Sequence, residues 1–131
     1  IAETKLDQTF PDAQFHADNY VMYRKDGASS FSGGLIVYAS SILSTRRRTD
    51  LEADLEFIVI EKVHDKKKSF FYVCYRAPRI DAKFYLQTLS KSLDKALIES
   101  NDITIIGDLN QNMMQINQSA ELRDLADLFG F

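Results

Sequence analysis

The sequence is short of the residues that mark a disulfide-stapled, membrane-spanning or charge-driven protein. It holds one cysteine in 131 residues, so no intramolecular disulfide can form. Cys74 sits among Phe71, Tyr72, Val73 and Tyr75 and reads as a small core side chain, expected in a reduced intracellular compartment. No uninterrupted apolar run approaches the roughly 20 residues that a membrane helix requires. The start, Ile1-Ala2-Glu3-Thr4-Lys5, carries no signal-peptide pattern, and neither secretion nor a membrane partner is expected. Positive charge is not in excess: the formal net charge is −3, which argues against holding nucleic acid through bulk charge alone. Histidine is scarce as well. His16 and His64 lie in no motif, and neither is assigned a role.

What is present is the profile of one globular domain, 45% hydrophobic and 27% charged, with enough apolar material for a core. Phe10, Phe15 and Tyr20 punctuate an opening loop, and Val21 to Arg24 is a brief extended segment. A Gly- and Ser-rich loop from Lys25 to Ser32 precedes Gly33-Gly34 and the strand Leu35 to Ala39. Ser40 to Glu52, with Arg46-Arg47-Arg48, reads as an exposed connection. Leu55 to Val63 is apolar on both faces apart from Glu56 and Glu61, as in a strand covered on both sides. With Phe70 to Tyr75 it predicts an antiparallel hairpin whose tip carries Lys66-Lys67-Lys68. Basic runs of this kind are more often solvated faces than phosphate contacts.

Pro78 lacks an amide donor and ends the second strand. Asp81 is an N-cap for a helix over Ala82 to Glu99, with Leu86, Leu89, Leu93 and Leu97 on one stripe. After Asn101-Asp102, the β-branched run from Ile103 reads as a buried central strand ending in Gly107-Asp108-Leu109-Asn110. Asp108 and Asn110, two apart, project to one side of an extended segment. Gln111 to Gln118 predicts an amide-rich loop. A second amphipathic helix follows from Ala120 to Phe129, with Ser119 as N-cap and Gly130 as its stop. Antiparallel strands with helices covering a face imply a layered α+β architecture.

Four short patterns occur in compatible order: Glu3-Thr4-Lys5-Leu6, Gly33-Gly34-Leu35-Ile36-Val37-Tyr38, Tyr75-Arg76-Ala77-Pro78 and Gly107-Asp108-Leu109-Asn110. With them the chain resembles the endonuclease/exonuclease/phosphatase superfamily, in particular the endonuclease domain ahead of the reverse transcriptase in non-long-terminal-repeat retrotransposons. The resemblance implies a partial four-layer α/β/β/α sandwich with mostly antiparallel sheets, one incomplete domain over residues 1–131. It implies metal-dependent hydrolysis of a DNA phosphodiester.

By the same resemblance, Glu3 matches the ligand of Mg²⁺ (or Mn²⁺), Asp108 the group that orients or deprotonates the attacking water, Asn110 the amide that holds the scissile phosphate, and Tyr75 a hydroxyl that reaches it. Arg24, Lys25 and Arg76 are candidate nucleic-acid contacts. The implied partners are DNA and a reverse transcriptase domain in the same polypeptide, and the implied location is intracellular, nuclear when acting on DNA. The family's first strand with its asparagine, and its closing aspartate and Ser-Asp-His-like segment, have no counterpart here, so the piece alone is expected to have little nuclease activity. Two alternatives stand beside this reading: a phosphoesterase of the same superfamily acting on phosphoinositides, sphingomyelin or RNA, and a degenerate non-catalytic module.

Overall fold

The computed structural model describes residues 1–27 and 33–109. The expected loop 111–118, the second helix over 120–129 and Asn110 lie outside these residues. Within them the strands are β1 (Tyr20–Lys25), β2 (Leu35–Ser40), β3 (Ser44–Arg47), β4 (Phe57–His64), β5 (Lys67–Tyr75) and β6 (Ile103–Asp108), with one long helix, α1 (Ala82–Glu99). β1 and β2 form an antiparallel pair, and a second sheet runs in the order β3-β4-β5-β6. Its ladders are antiparallel except the last, where β6 lies parallel to β5. A parallel neighbour needs a crossover connection, and α1 supplies it.

Side-chain alternation along β4 and β5 builds two cores back to back. Phe57, Val59, Phe70, Tyr72 and Cys74 face α1, where they meet Tyr85, Leu86, Leu89, Leu93 and Ala96. Ile58, Ile60 and Tyr75, with Ala77 just beyond, face the other way and pack with Leu35, Tyr23 and Val37 of the two-stranded sheet. The described residues thus form three successive layers, helix, sheet and sheet, of the expected α+β sandwich.

Local signals explain the elements. The side chain of Asp81 accepts from the backbone N–H of Phe84 at 3.0 Å, capping α1 where the sequence predicts. Between β4 and β5 the turn residues Asp65 and Lys66 both have positive φ, 50° and 64°, the conformation whose twist matches a two-residue hairpin. The strands therefore extend to His64 and Lys67, and two of the three lysines read as the tip belong to β5.

Three expectations require correction. Ser40 to Glu52 is more than an exposed connection: many of its residues are exposed, but it contains β3, and Arg48 is 8% exposed. Its arginines are ion-paired, with Arg48 buried and Arg46 still exposed. Arg46 meets Glu61, Arg47 meets Glu52, and Arg48 meets Asp50, Glu61 and Glu99. The stripe of α1 ends at Ala96 rather than Leu97, which is 37% exposed, because the helical repeat rotates Leu97 off the packed face. Among the described residues β6 is no central buried strand either. Among the described residues it has one neighbour, β5, and Ile106 is 51% exposed while Ile103 and Ile105 pack against the helix-side core. No described helix is long and apolar enough to cross a membrane.

Candidate active site

The site is assembled where the ends of β5 and β6 meet the N-terminal segment. Ile1 and Ala2 lie along β2: the Ile36 N–H donates to the Ile1 carbonyl at 2.9 Å, and Ala2 bridges Leu35. The next turn is held by the glycine pair, since Lys5 N–H donates to the Gly33 carbonyl at 2.8 Å and Thr4 N–H to that of Gly34 at 3.4 Å. Glu3, with φ at 54°, is thereby turned toward β5. There the Tyr75 hydroxyl donates to Glu3 Oε1 at 2.7 Å.

Tyr75 is buried, at 2% exposure, and Glu3 is exposed. A ring fixed in the inter-sheet core therefore aims a carboxylate that faces solvent. Asp108 is in register with Tyr75 across the parallel ladder, which puts both residues on the same sheet face. Its approach depends on Gly107, whose φ is 140° and at which a Cβ would lie 1.9 Å from the Cys74 carbonyl oxygen. Only glycine lets the two backbones come this close. Glu3, Tyr75 and Asp108 are thus brought together, and the expectation for Asn110 falls outside the described residues.

Arg76 fixes the same end of the sheet. Its N–H donates to the Asp108 carbonyl at 2.9 Å, its Nε to the Leu109 carbonyl at 2.9 Å and its Nη1 to that of Ile80 at 2.6 Å. The other two cations expected at DNA also turn inward. Arg24 directs its donors to Asp26, Asp12 and the carbonyls of Phe10 and Asp7, and a guanidinium has five N–H groups to give. Lys25 donates to the carbonyls of Ala53 and Phe57 and lies 3.6 Å from Glu52. Burial lowers its pKa, with Glu52 opposing. All three side chains are used to join elements of the fold.

Among the hollows beside these residues are two that differ in size. The larger, about 550 Å³, is lined by Phe10, Asp12, Tyr23, Arg24 and Arg47, of which Tyr23, Arg24 and Arg47 already have hydrogen-bond partners in the fold. The smaller, about 240 Å³, is lined by Tyr75 together with Lys25, Glu56, Arg79 and Tyr85. It is the one of the two that touches Tyr75, and chemistry rather than size decides between them.

Glu56 was not singled out by the sequence beyond being an exception in an apolar strand. That was the available signal, a carboxylate placed immediately before the buried Phe57. Burial raises the Glu56 pKa, the Gly34 backbone, Arg79 and Lys25 pull it back, and Glu3 adds to the rise. Among the described residues no group of three or more His, Cys, Asp or Glu converges as a metal cage.

No family model and no curated protein matches this chain. Among solved structures it is similar to the endonuclease domain of TRAS1, a telomere-specific non-LTR retrotransposon, with a TM-score of 0.68 at 12% identity. The similarity covers 87% of this chain and 54% of that one, so the chain spans about half the length of the structure it matches. At this identity the likeness shows the fold, which is the nuclease-like fold that the four sequence patterns imply.

Proposed function

We propose that this chain, which has the fold of a retrotransposon endonuclease domain, carries the central part of a metal-dependent site for hydrolysing DNA phosphodiesters. The observation that supports the reading is the convergence of Glu3, Tyr75 and Asp108, the first two in direct hydrogen bond at 2.7 Å and the last two paired in register. The sheet ladder accounts for Tyr75 beside Asp108, whereas Glu3 comes from a separate segment and is held at the Tyr75 hydroxyl.

The residues fit a hard divalent cation. Mg²⁺ or Mn²⁺ takes one or two carboxylates and keeps most of its water, which suits an exposed Glu3 better than a closed cage. In this reading Glu3 holds the cation, which when bound supplies charge to stabilise the phosphate oxygens. Tyr75 fixes the Glu3 carboxylate and offers its hydroxyl toward the phosphate. Asp108 orients the attacking water or takes its proton. Asn110 donates to the scissile phosphate. The Arg76 clamp keeps Asp108 at the rim by holding the β6 end against the turn after β5. DNA is the substrate, and a reverse transcriptase domain in the same polypeptide and action in the nucleus belong to the same proposal.

Nicking of supercoiled plasmid tests it. The full-length protein nicks in Mg²⁺, and Asp108→Ala and Glu3→Gln each abolish nicking with the fold intact. Retained nicking in Asp108→Ala overturns the reading. Because these 131 residues span about half of the matched structure, the piece alone is expected to nick little or not at all.

A further inference from the structure

Glu56 has no part in the reading so far, yet its backbone and side chain both belong to the site. Its carbonyl accepts the Tyr75 N–H at 2.9 Å and the Tyr85 hydroxyl at 2.8 Å, fixing the strand end that carries Tyr75. Its carboxylate lies against the glycine pair so closely that a Cβ on Gly33 would fall 2.1 Å from Oε1. The same two glycines hold the Glu3 segment through the N–H groups of Thr4 and Lys5. Glu3 and Glu56 therefore flank one turn.

Two buried side-chain oxygens among the described residues have no hydrogen-bond partner, Glu56 Oε2 and Thr4 Oγ1. Both abut this turn, since a Cβ on Gly34 would lie 2.2 Å from Thr4 Oγ1. Leaving a buried polar atom unpaired opposes folding. Its presence twice beside a candidate metal ligand is better explained by function than by packing.

We propose that Glu56 is a positioning residue of the cation site: from behind the Gly33–Gly34 turn it fixes the segment bearing Glu3 and adds a second negative charge that strengthens cation binding there. The inference rests on the reading that Glu3 holds a cation. Lys25 and Arg79 line the same cavity as Glu56 and moderate its charge, and Lys25 is also paired with Glu52. A single charge a few ångströms from a multivalent cation, partly screened by water, changes its binding about tenfold.

Terbium(III), a hard ion whose emission is excited through a nearby tyrosine, is the probe, titrated into the full-length protein with thermal unfolding as the check on folding. Glu56→Gln keeps the size, removes the charge and is expected to weaken terbium about tenfold, and Glu56→Asp, which withdraws the charge from the turn, about threefold. The aspartate variant carries the test if the glutamine variant does not fold. Unchanged affinity in the folded variants, while Glu3→Gln abolishes the signal, overturns the proposal. A signal that survives Glu3→Gln overturns the cation reading itself, and the role of Glu56 with it.

Discussion

The Tyr75 hydroxyl and the Glu3 carboxylate meet at 2.7 Å although 72 positions separate them in the sequence. The donor is anchored in the core and the acceptor sits at the surface, so the bond transmits the rigidity of the sheets to a solvent-facing carboxylate. Tyr75→Phe keeps the ring and removes the bond. The expected result is a loss of about 1 kcal/mol in stability, read as a lower urea midpoint. Nicking by the full-length protein should fall by far more than that stability change accounts for.

Gly107→Ala tests whether the rim of the site depends on close backbone approach. The new Cβ would collide with the Cys74 carbonyl oxygen, which as backbone cannot swing aside. A cost of at least about 3 kcal/mol is expected, measured by urea unfolding. Loss of β6 amide protection in hydrogen exchange should accompany it.

The ion pairs joining β3, β4, β5 and α1 make a prediction about acid. Hydrogen bonds from Arg48 and then Lys68 hold the Glu99 carboxyl down at about 2. The same arginine lowers Asp50, and Arg46 with Lys68 outweighs burial to lower Glu61. A carboxyl depressed in the fold contributes stability above its unfolded pKa and loses it as pH falls through the folded value. Stability should therefore decline from about pH 5 to about pH 2. Glu99→Gln should lower it at pH 7 by about 1 to 2 kcal/mol, discounted for partial solvent screening, and have almost no effect near pH 2. Melting temperatures across that range check both signs.

Cys74 provides a test of the helix-side core. Burial pushes its thiol up to about 12, and only the thiolate is an effective nucleophile. Native protein at pH 8 should resist alkylation by iodoacetamide for hours. Protein in 8 M urea should react within minutes, with one adduct by mass spectrometry.

Periodicity and capping made much of the fold legible. The apolar alternation of β4 and β5, and Asp81 ahead of a leucine stripe, announced elements that formed where expected. β3 was hidden because Ser44, Thr45, Arg46 and Arg47 look like a solvated turn; what makes them a strand is the ladder to β4, whose Glu61 pairs with Arg46 from 15 positions away. β6 looked central because isoleucines occupy both of its faces, whereas only one face meets the helix. The site was legible through resemblance alone: Glu3 and Tyr75 by themselves are an exposed acid and a core aromatic. Glu56 escaped because its importance lies in what it touches across the glycine turn.

The order in which the site can assemble follows from the two-residue turn at Asp65 and Lys66. The β4–β5 hairpin needs almost no loop closed and can zip as soon as both strands exist. Glu3 leaves the ribosome early but must wait for residue 75, and the paired end of β6 comes only after the whole of α1. Closing such long intervals is entropically slower than closing a turn. The rim where Glu3, Tyr75 and Asp108 lie is therefore expected to be the last of the described residues to mature during synthesis, and the proposed site would be without its metal-holding geometry until β6 has been made.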